Sequence, residues 1–418
     1  MSRGTRTGRA EIAPGDAKGR SSTKQDQRRR EALMLLDNEC APDLRVQREA
    51  MSLARHGWRV RVLCWDREGQ LPEHEESKGG ITLTRIRTLA RRQLGLRQLT
   101  NLCRFYAQVW ERREQLVSAD TSVIHAHDLL MLPLAGALKN WLGPRARLVY
   151  DAHEIFVKME AHRYPFLMLH LVDRAERWLV NRYANAFITV SHQRVRDWWG
   201  SRIVRPGVFV CGNWFDPRPI DPGVRQAMRK RLNISEGTFV VGYLGSLNAN
   251  RRVDLLLDAI EGREDMAALI GGRGDRRSSI ERRIALMPNA RFLGWVEDPW
   301  PVYESCDALY YLVDPDHPYA RFNAPNNANI ALAMRLPLVT GAEGESAEIV
   351  RQTGLGRIVE PSPSAIRRAL LELSGSSSSL PREEEDAVSR LQAQWSWQEA
   401  SRALLSAYGE ECPSTPLD

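Results

Sequence analysis

The stretch SVIHAHDLLMLPLAGALKNWLGPRARLVYDAHEIF (122–156) decides the fold. It opens on a β-branched apolar run (SVIHAH, 122–127), continues through an apolar helix after Asp128, and returns to a second apolar run (ARLVYDAH, 146–153). Two strands joined by a helix lie parallel, because only a crossover of that length brings the second strand back beside the first in the same direction. Upstream, EALMLLD (31–37), WRVRVLCW (58–65) and ITLTRIR (81–87) read as strands, with amphipathic helices over 43–56 and 98–116. Downstream come a helix over 165–184 and strands AFITVS (186–191) and GVFVC (207–211). Repeated strand–helix alternation predicts a parallel sheet covered on both faces.

NWFDPRPIDP (213–222) has the Pro/Asp content of a linker, and beyond it the alternation starts again. Strands are expected at 238–246, 266–272, 290–295, 308–314, 336–341 and 356–360, with helices near 252–262, 277–286, 299–306, 326–335 and 345–352. The fold class is therefore α/β, with two doubly wound sheets whose ligand site is the cleft between them. The expected domains are a disordered basic tail (1–30), an N-terminal domain (31–215), a C-terminal domain (216–385) and a terminal helix (386–412).

The chain has 418 residues and a net charge of +7, but the charge is unevenly placed. Residues 1–30 hold nine Lys/Arg against three Asp/Glu, so +6 belongs to the tail and the body is almost neutral. That weighs against nucleic acid as a partner. No apolar run approaches the roughly 18 residues of a membrane-spanning helix, and a cytoplasmic location is expected. The six cysteines form no C-x-x-C pair, which predicts reduced thiols in place of a disulfide or zinc framework. No lysine follows Lys230, so a phosphate bound by a basic side chain in the second half must be bound by arginine.

Several segments together resemble the retaining GT-B glycosyltransferases of family 4. DNECAPDLRVQREAMSLARHGWRVRVL (37–63), HAHDLLMLPLA (125–135), VYDAHEIF (149–156), ERWLVNRYANAFITVS (176–191) and GNWFDP (212–217) are similar to its N-domain landmarks. VVGYLGSLNANRRVDLLLDAI (240–260), FLGWV (292–296) and APNNANIALAMRLPLVTGAEGESAEIV (324–350) are similar to its donor domain, and WSWQEA…Y to the helix that crosses back. The resemblance implies two Rossmann-like domains and a UDP- or GDP-linked sugar donor. It implies a glycan or lipid-linked acceptor in surface polysaccharide or glycolipid assembly, and no metal or other cofactor.

A departing nucleoside diphosphate needs cations and helix N-termini around it. By resemblance Arg251 stands where the family has a phosphate-binding lysine, with Arg252 beside it, and Gly245 and Ser246 close the preceding strand. Gly272 allows a close backbone approach, Trp295 and Val296 line the nucleobase pocket, and Asn326 and Asn327 are the polar groups nearby. Gly344, Glu345, Ser346 and Glu348 open a helix that would cradle phosphate. Two positions where the family carries glutamates fall on Phe322 and Ile330, a departure that bears on the donor. On the acceptor side the resemblance puts His127 and Asp128 beside the reacting sugar, and His153 and Glu154 end the next strand in the same way. D-P-D (314–316) is out of place for a metal motif. The basic amphipathic helix 88–113 suits either peripheral contact with the inner face of a membrane or ordinary packing of its apolar stripe on the sheet. Two other functions stay open on the sequence: a sugar-nucleotide epimerase or hydrolase of the same fold, and a non-catalytic glycosyltransferase-like binding module.

Overall fold

The computed structural model describes Met1 and residues 30–41, 43–77, 79–89, 96–375 and 381–410. The expected disordered tail lies outside the described residues except at its two ends.

Eight strands form the first sheet: β1 (Glu31–Leu36), β2 (Arg59–Asp66), β3 (His74–Ser77), β4 (Ile81–Arg87), β5 (Thr121–His127), β6 (Arg147–Ala152), β7 (Ala186–Thr189) and β8 (Gly207–Val210). Their order is β3-β4-β2-β1-β5-β6-β7-β8, all parallel except β3, which runs antiparallel to β4. Every residue of β1 is buried, with Ala32, Met34 and Leu36 on one face and Leu33 and Leu35 on the other. That is the pattern of a central strand covered on both sides. The edge strand β3 has no signature in the sequence: its HEES is polar throughout and mostly exposed, and short charged edges protect a sheet from foreign pairing.

The second sheet has six parallel strands: β9 (Phe239–Ser246), β10 (Met266–Arg273), β11 (Ala290–Gly294), β12 (Ala308–Tyr311), β13 (Leu338–Thr340) and β14 (Gly356–Ile358). The order is β11-β10-β9-β12-β13-β14. The strand order reverses direction at β1/β5 in one sheet and at β9/β12 in the other. One cleft is lined by residues that follow β6, β7 and β8 of the first sheet and by the ends of β9 and β12 of the second.

The chain crosses between domains twice. After β8 it runs through residues 211–221, where the Arg218 N–H donates to the Ala333 carbonyl (2.9 Å). The return lies later than residue 386. Helix Arg382–Gln394 still packs on the second domain, and only Trp397–Ala407 packs on β7, β8 and helix Leu44–Arg55 of the first. Aromatic stacking fixes the crossing: Trp395 lies parallel to Trp214 (5.7 Å), and the Arg48 guanidinium covers the Trp397 ring at 3.8 Å.

Helix Leu96–Glu111, the segment expected to meet a membrane, turns one apolar stripe to the sheet and leaves Leu99 and Trp110 exposed. Its stripe of Leu102, Phe105 and Val109 is buried, with Phe105 stacked on Trp65 of β2 (5.3 Å). Residues 90–95 lie outside the described residues.

Gly272 shows how tightly β9 and β10 end. Its φ is +140°, and a Cβ there would stand 1.8 Å from the Gly245 carbonyl oxygen. Gly272→Ala is expected to destabilise by about 3 kcal/mol or more, through backbone strain plus a clash with rigid backbone. Urea unfolding of the variant checks this, and an unchanged midpoint would contradict the close approach.

Candidate active site

At the carboxyl end of β6, Asp151 is fully buried. A carboxylate out of water requires charged partners. Arg45, in the first turn of helix Leu44–Arg55, provides a bidentate pair: Nε to Oδ2 is 3.1 Å and Nη2 to Oδ1 is 3.0 Å. The same guanidinium lies 3.0 Å from Glu49 and donates to the Cys211 carbonyl (2.7 Å) and to Asn213 Oδ1 (3.2 Å). His153 places Nε2 2.9 Å from Asp151 Oδ2.

Strand alternation brings two more histidines to this face. His127 is paired in register with Asp151, and its Nδ1 lies 3.0 Å from His153 Nε2. His125 stacks on His127 (ring centroids 4.1 Å apart) and meets the Tyr408 hydroxyl through Nδ1 at 2.9 Å. His127 is only 2% exposed and stands behind His153. The expectation that His127 faces the reacting sugar is therefore corrected: His153 is the histidine on the cleft.

Burial opposes charge on every group here, and the partners decide the outcome. Asp151 stays well below the ordinary carboxylate range despite its burial, because Arg45 and His153 stabilise the anion. Burial alone would lower His153, but Asp151 and Asp128 raise it to about 10, so the imidazolium is the neutral-pH species. Burial lowers both His127 and His125, which stay neutral. Burial also pushes the Asp128 carboxyl up to about 7.

Asp128 holds φ 62° and ψ 167°, a region that normally belongs to glycine. Its N–H donates to the Asp151 carbonyl (2.9 Å) and its Oδ1 accepts from the Glu154 N–H (3.2 Å). These bonds tie the β5 and β6 ends together and present Glu154 to the cleft, where it meets Arg194 (3.4 Å) and the Tyr319 hydroxyl.

Across the cleft, Arg251 follows the turn after β9. Its Nη1 donates to the Tyr311 hydroxyl and to Asn323 Oδ1 (3.2 Å). A cleft of about 270 Å³ lies between the domains, with His153, Glu154, Arg194 and Asn213 on one wall. Gly245, Ser246, Arg251, Tyr311, Asn326 and Asn327 line the other. Glu154 is the one carboxylate among the described lining residues, against Arg194, Arg251 and the His153 imidazolium. The cleft is built for an anion.

Other expected donor contacts fall elsewhere. Arg252 sits in the left-handed region (φ 48°), pairs with Asp314 (3.0 Å), and lines a separate cavity, so it does not back up Arg251. Trp295 is half-exposed under the Arg273 guanidinium (4.5 Å), and neither it nor Val296 lines the cleft. The helix start at Gly344 lies off this cleft, with Glu343 and Ser346 lining a second cavity of about 310 Å³, and one of its amides is engaged. The Glu345 N–H already donates to the Asn323 carbonyl (3.0 Å), and a Cβ on Gly344 would meet two carbonyl oxygens at 3.1 Å. The Glu345 carboxyl is buried, raised to about 8 by that burial, and accepts from Asn329 (2.7 Å). Ser346 bonds Thr340 (2.8 Å), and Glu348 pairs with Arg196 across the domain boundary (3.4 Å). Gly272 acts only through the strand-end packing described above.

Among the described residues, one group has metal-ligand spacing: Glu49, His125, His127 and Asp151, all buried. Arg45 grips both Asp151 oxygens and contacts Glu49, which places a fixed cation where a metal would bind. The donor set does not fit a metal ion.

Two models together match 316 of the 418 residues: "Glycosyl transferase 4-like domain" over residues 42–218 and "Glycosyl transferases group 1" over residues 238–376. The chain belongs to the group 1 glycosyltransferases. A D-inositol 3-phosphate glycosyltransferase of Geodermatophilus obscurus is 26% identical over 219 residues, half of this chain and 46% of that protein. The match thus spans about half the length of that curated relative. Sucrose-phosphate synthase of Thermosynechococcus elongatus superposes with a TM-score of 0.70 at 16% identity, covering 91% of this chain and 98% of the other. HepE of Anabaena, solved in complex with UDP-glucose, superposes with a TM-score of 0.66 at 15% identity, over 90% and 99%. These structures share the GT-B fold of this glycosyltransferase, two Rossmann-like domains facing a cleft.

Arg194, Asn213, Tyr311, Tyr319, Asn323 and Asp151 complete the site and were not singled out by sequence. Only Asp151 carried a signal, since the two-residue alternation of D-A-H puts Asp151 and His153 on one face. Asp151→Asn strands the Arg45 and His153 charges, and a loss of about 3–5 kcal/mol is expected in urea unfolding. His153 should then titrate well below its wild-type value of about 10, read from imidazole NMR shifts.

The stability link has a defined sign. The folded pKa of His153 exceeds the unfolded value of about 6.5. Its contribution is therefore complete below that pH and is lost as pH rises towards about 10. Over this window the wild-type melting midpoint should fall more steeply than that of His153→Gln.

Proposed function

We propose that this glycosyltransferase moves a sugar from a UDP- or GDP-linked donor to a glycan or lipid-linked acceptor with retention of anomeric configuration, in surface polysaccharide or glycolipid assembly. The observation that carries the reading is the cationic cleft between the two sheets, with Arg251 and Arg194 on opposite walls. HepE, bound to UDP-glucose in the same fold, supports a nucleotide-sugar as the donor.

As the bond from the sugar to the donor oxygen breaks, negative charge collects on the diphosphate. Arg251 is held by Tyr311 and Asn323 before any ligand arrives, so it meets that charge with little reorganisation. The leaving phosphate takes the acceptor proton, so no strong general base is needed. His153 suits this scheme: as an imidazolium it cannot be the base, and it adds positive charge beside the transferring sugar. Asp151 is a positioning residue that keeps His153 protonated and in place.

Arg251→Ala is expected to lower the catalytic rate by about 2–4 kcal/mol of transition-state stabilisation. Arg251→Lys should recover part of it, since an ammonium keeps the charge and loses the fork. Arg252→Ala should cost little, because that side chain lies off the cleft. Wild-type turnover in Arg251→Ala, with the fold verified by circular dichroism, would remove the residue from the mechanism. Comparing donor consumption with and without acceptor separates transfer from hydrolysis. Affinity for UDP or GDP should also be unchanged by EDTA, measured by calorimetry; a collapse would mean that a metal holds the diphosphate.

A further inference from the structure

Helix Phe166–Tyr183 follows the loop that leaves Glu154 in the cleft, and His162 in that loop meets His317 of the other domain (ring centroids 5.8 Å). That contact lies at the separate cavity that Arg252 also lines. Its inner face is conventional: Leu169, Asp173, Glu176 and Val180 are buried, and both acids are engaged, Asp173 by Arg177 and Arg202 and Glu176 by Tyr150. The outer face is not. Phe166 is 84% exposed, Leu167 68%, Leu171 60% and Trp178 60%. Leu167, Leu171 and Trp178 follow i, i+4, i+11 spacing, so they form one stripe along the helix. Monomeric soluble proteins seldom display such a stripe without a partner.

The charges on this face choose the partner. Arg174 and Arg182 are exposed beside the stripe, while neither acid of the helix reaches its outer face. Among the described residues Arg174 has no carboxylate partner, and Arg182 covers the Tyr183 ring. A second copy packed here would oppose arginines to arginines. The chain's own residues 1–30, with a net charge of +6, would be repelled as well. Leucine, phenylalanine and tryptophan flanked by arginine, with no acid, suit the boundary between acyl chains and anionic headgroups.

We propose that the outer face of helix Phe166–Tyr183 docks this protein on an anionic lipid bilayer. Docking does not depend on the transfer reading.

The test is co-sedimentation of the full chain with phosphatidylcholine vesicles, with or without phosphatidylglycerol, in the absence of donor and acceptor. Wild type should pellet with the phosphatidylglycerol vesicles only, and high salt should release part of it. Leu171→Ser and Trp178→Ser should each lower the partition coefficient roughly tenfold, and Arg174→Glu about fivefold or more. All three positions are exposed, so the melting midpoints should stay at the wild-type value. A chain lacking residues 1–30 should still bind. No binding of wild type overturns the proposal, as does wild-type binding by Leu171→Ser and Trp178→Ser. Binding lost only with the tail assigns the contact to the tail. Wild-type dimers that the face variants dissociate, without vesicle binding, make the face an interface between copies. Donor turnover, measured separately, reports on the transfer reading alone.

Discussion

A carboxylate sealed from water at the end of β6 organises the N-terminal half of this protein. Asp151 cannot remain ionised there without cations, and it draws Arg45 from the first helix and His153 from its own strand end. Arg45 in turn reaches the Cys211 carbonyl and Asn213, where the chain leaves β8 for the second domain. One buried charge thereby fixes the first helix, the β5 and β6 ends and the start of the interdomain connection. The strained backbone of Asp128 belongs to the same arrangement, because its amide is held by the Asp151 carbonyl. Strain of this kind persists only where surrounding bonds over-determine it.

The C-terminal half uses a lighter device. Arg251 is oriented by a phenol and an amide, neither of which neutralises it, so its charge remains available to a ligand. Asparagines fill much of the surrounding wall, and the family's carboxylate positions fall on the buried, apolar Phe322 and Ile330. The result is a donor wall with less negative charge than the family pattern implies.

Much of this was legible in the sequence. Apolar runs with helical spacers gave both sheets, since a parallel strand buried on both faces must be continuously apolar. The lack of lysine in the second half singles out arginine there, and Arg251 lines the cleft. What escaped notice depends on contacts far apart in the chain. Arg45 and Asp151 stand 106 positions apart, and Arg194 meets Tyr319 across 125. His127 looked like a cleft residue because it ends a strand, yet His153 ends the next strand and covers it. Gly344 and Glu345 read as a phosphate cradle, but which amides of a helix start are free is decided by what packs beside it, here residues 320–323, which take the Glu345 N–H. The polar strand β3 escaped because an exposed edge needs no apolar alternation.

The contact between the Tyr408 hydroxyl and His125 has a consequence for the birth of the molecule. The N-terminal sheet emerges from the ribosome first, yet the residue that covers its buried histidines is made only after the whole second domain. Until residues 397–408 arrive, the back of the Asp151 cluster lacks its cover and stays open to water, where its charge pairs are weak. The N-terminal half is therefore assembled from both ends of the message, and its buried cluster is complete only when synthesis is nearly done.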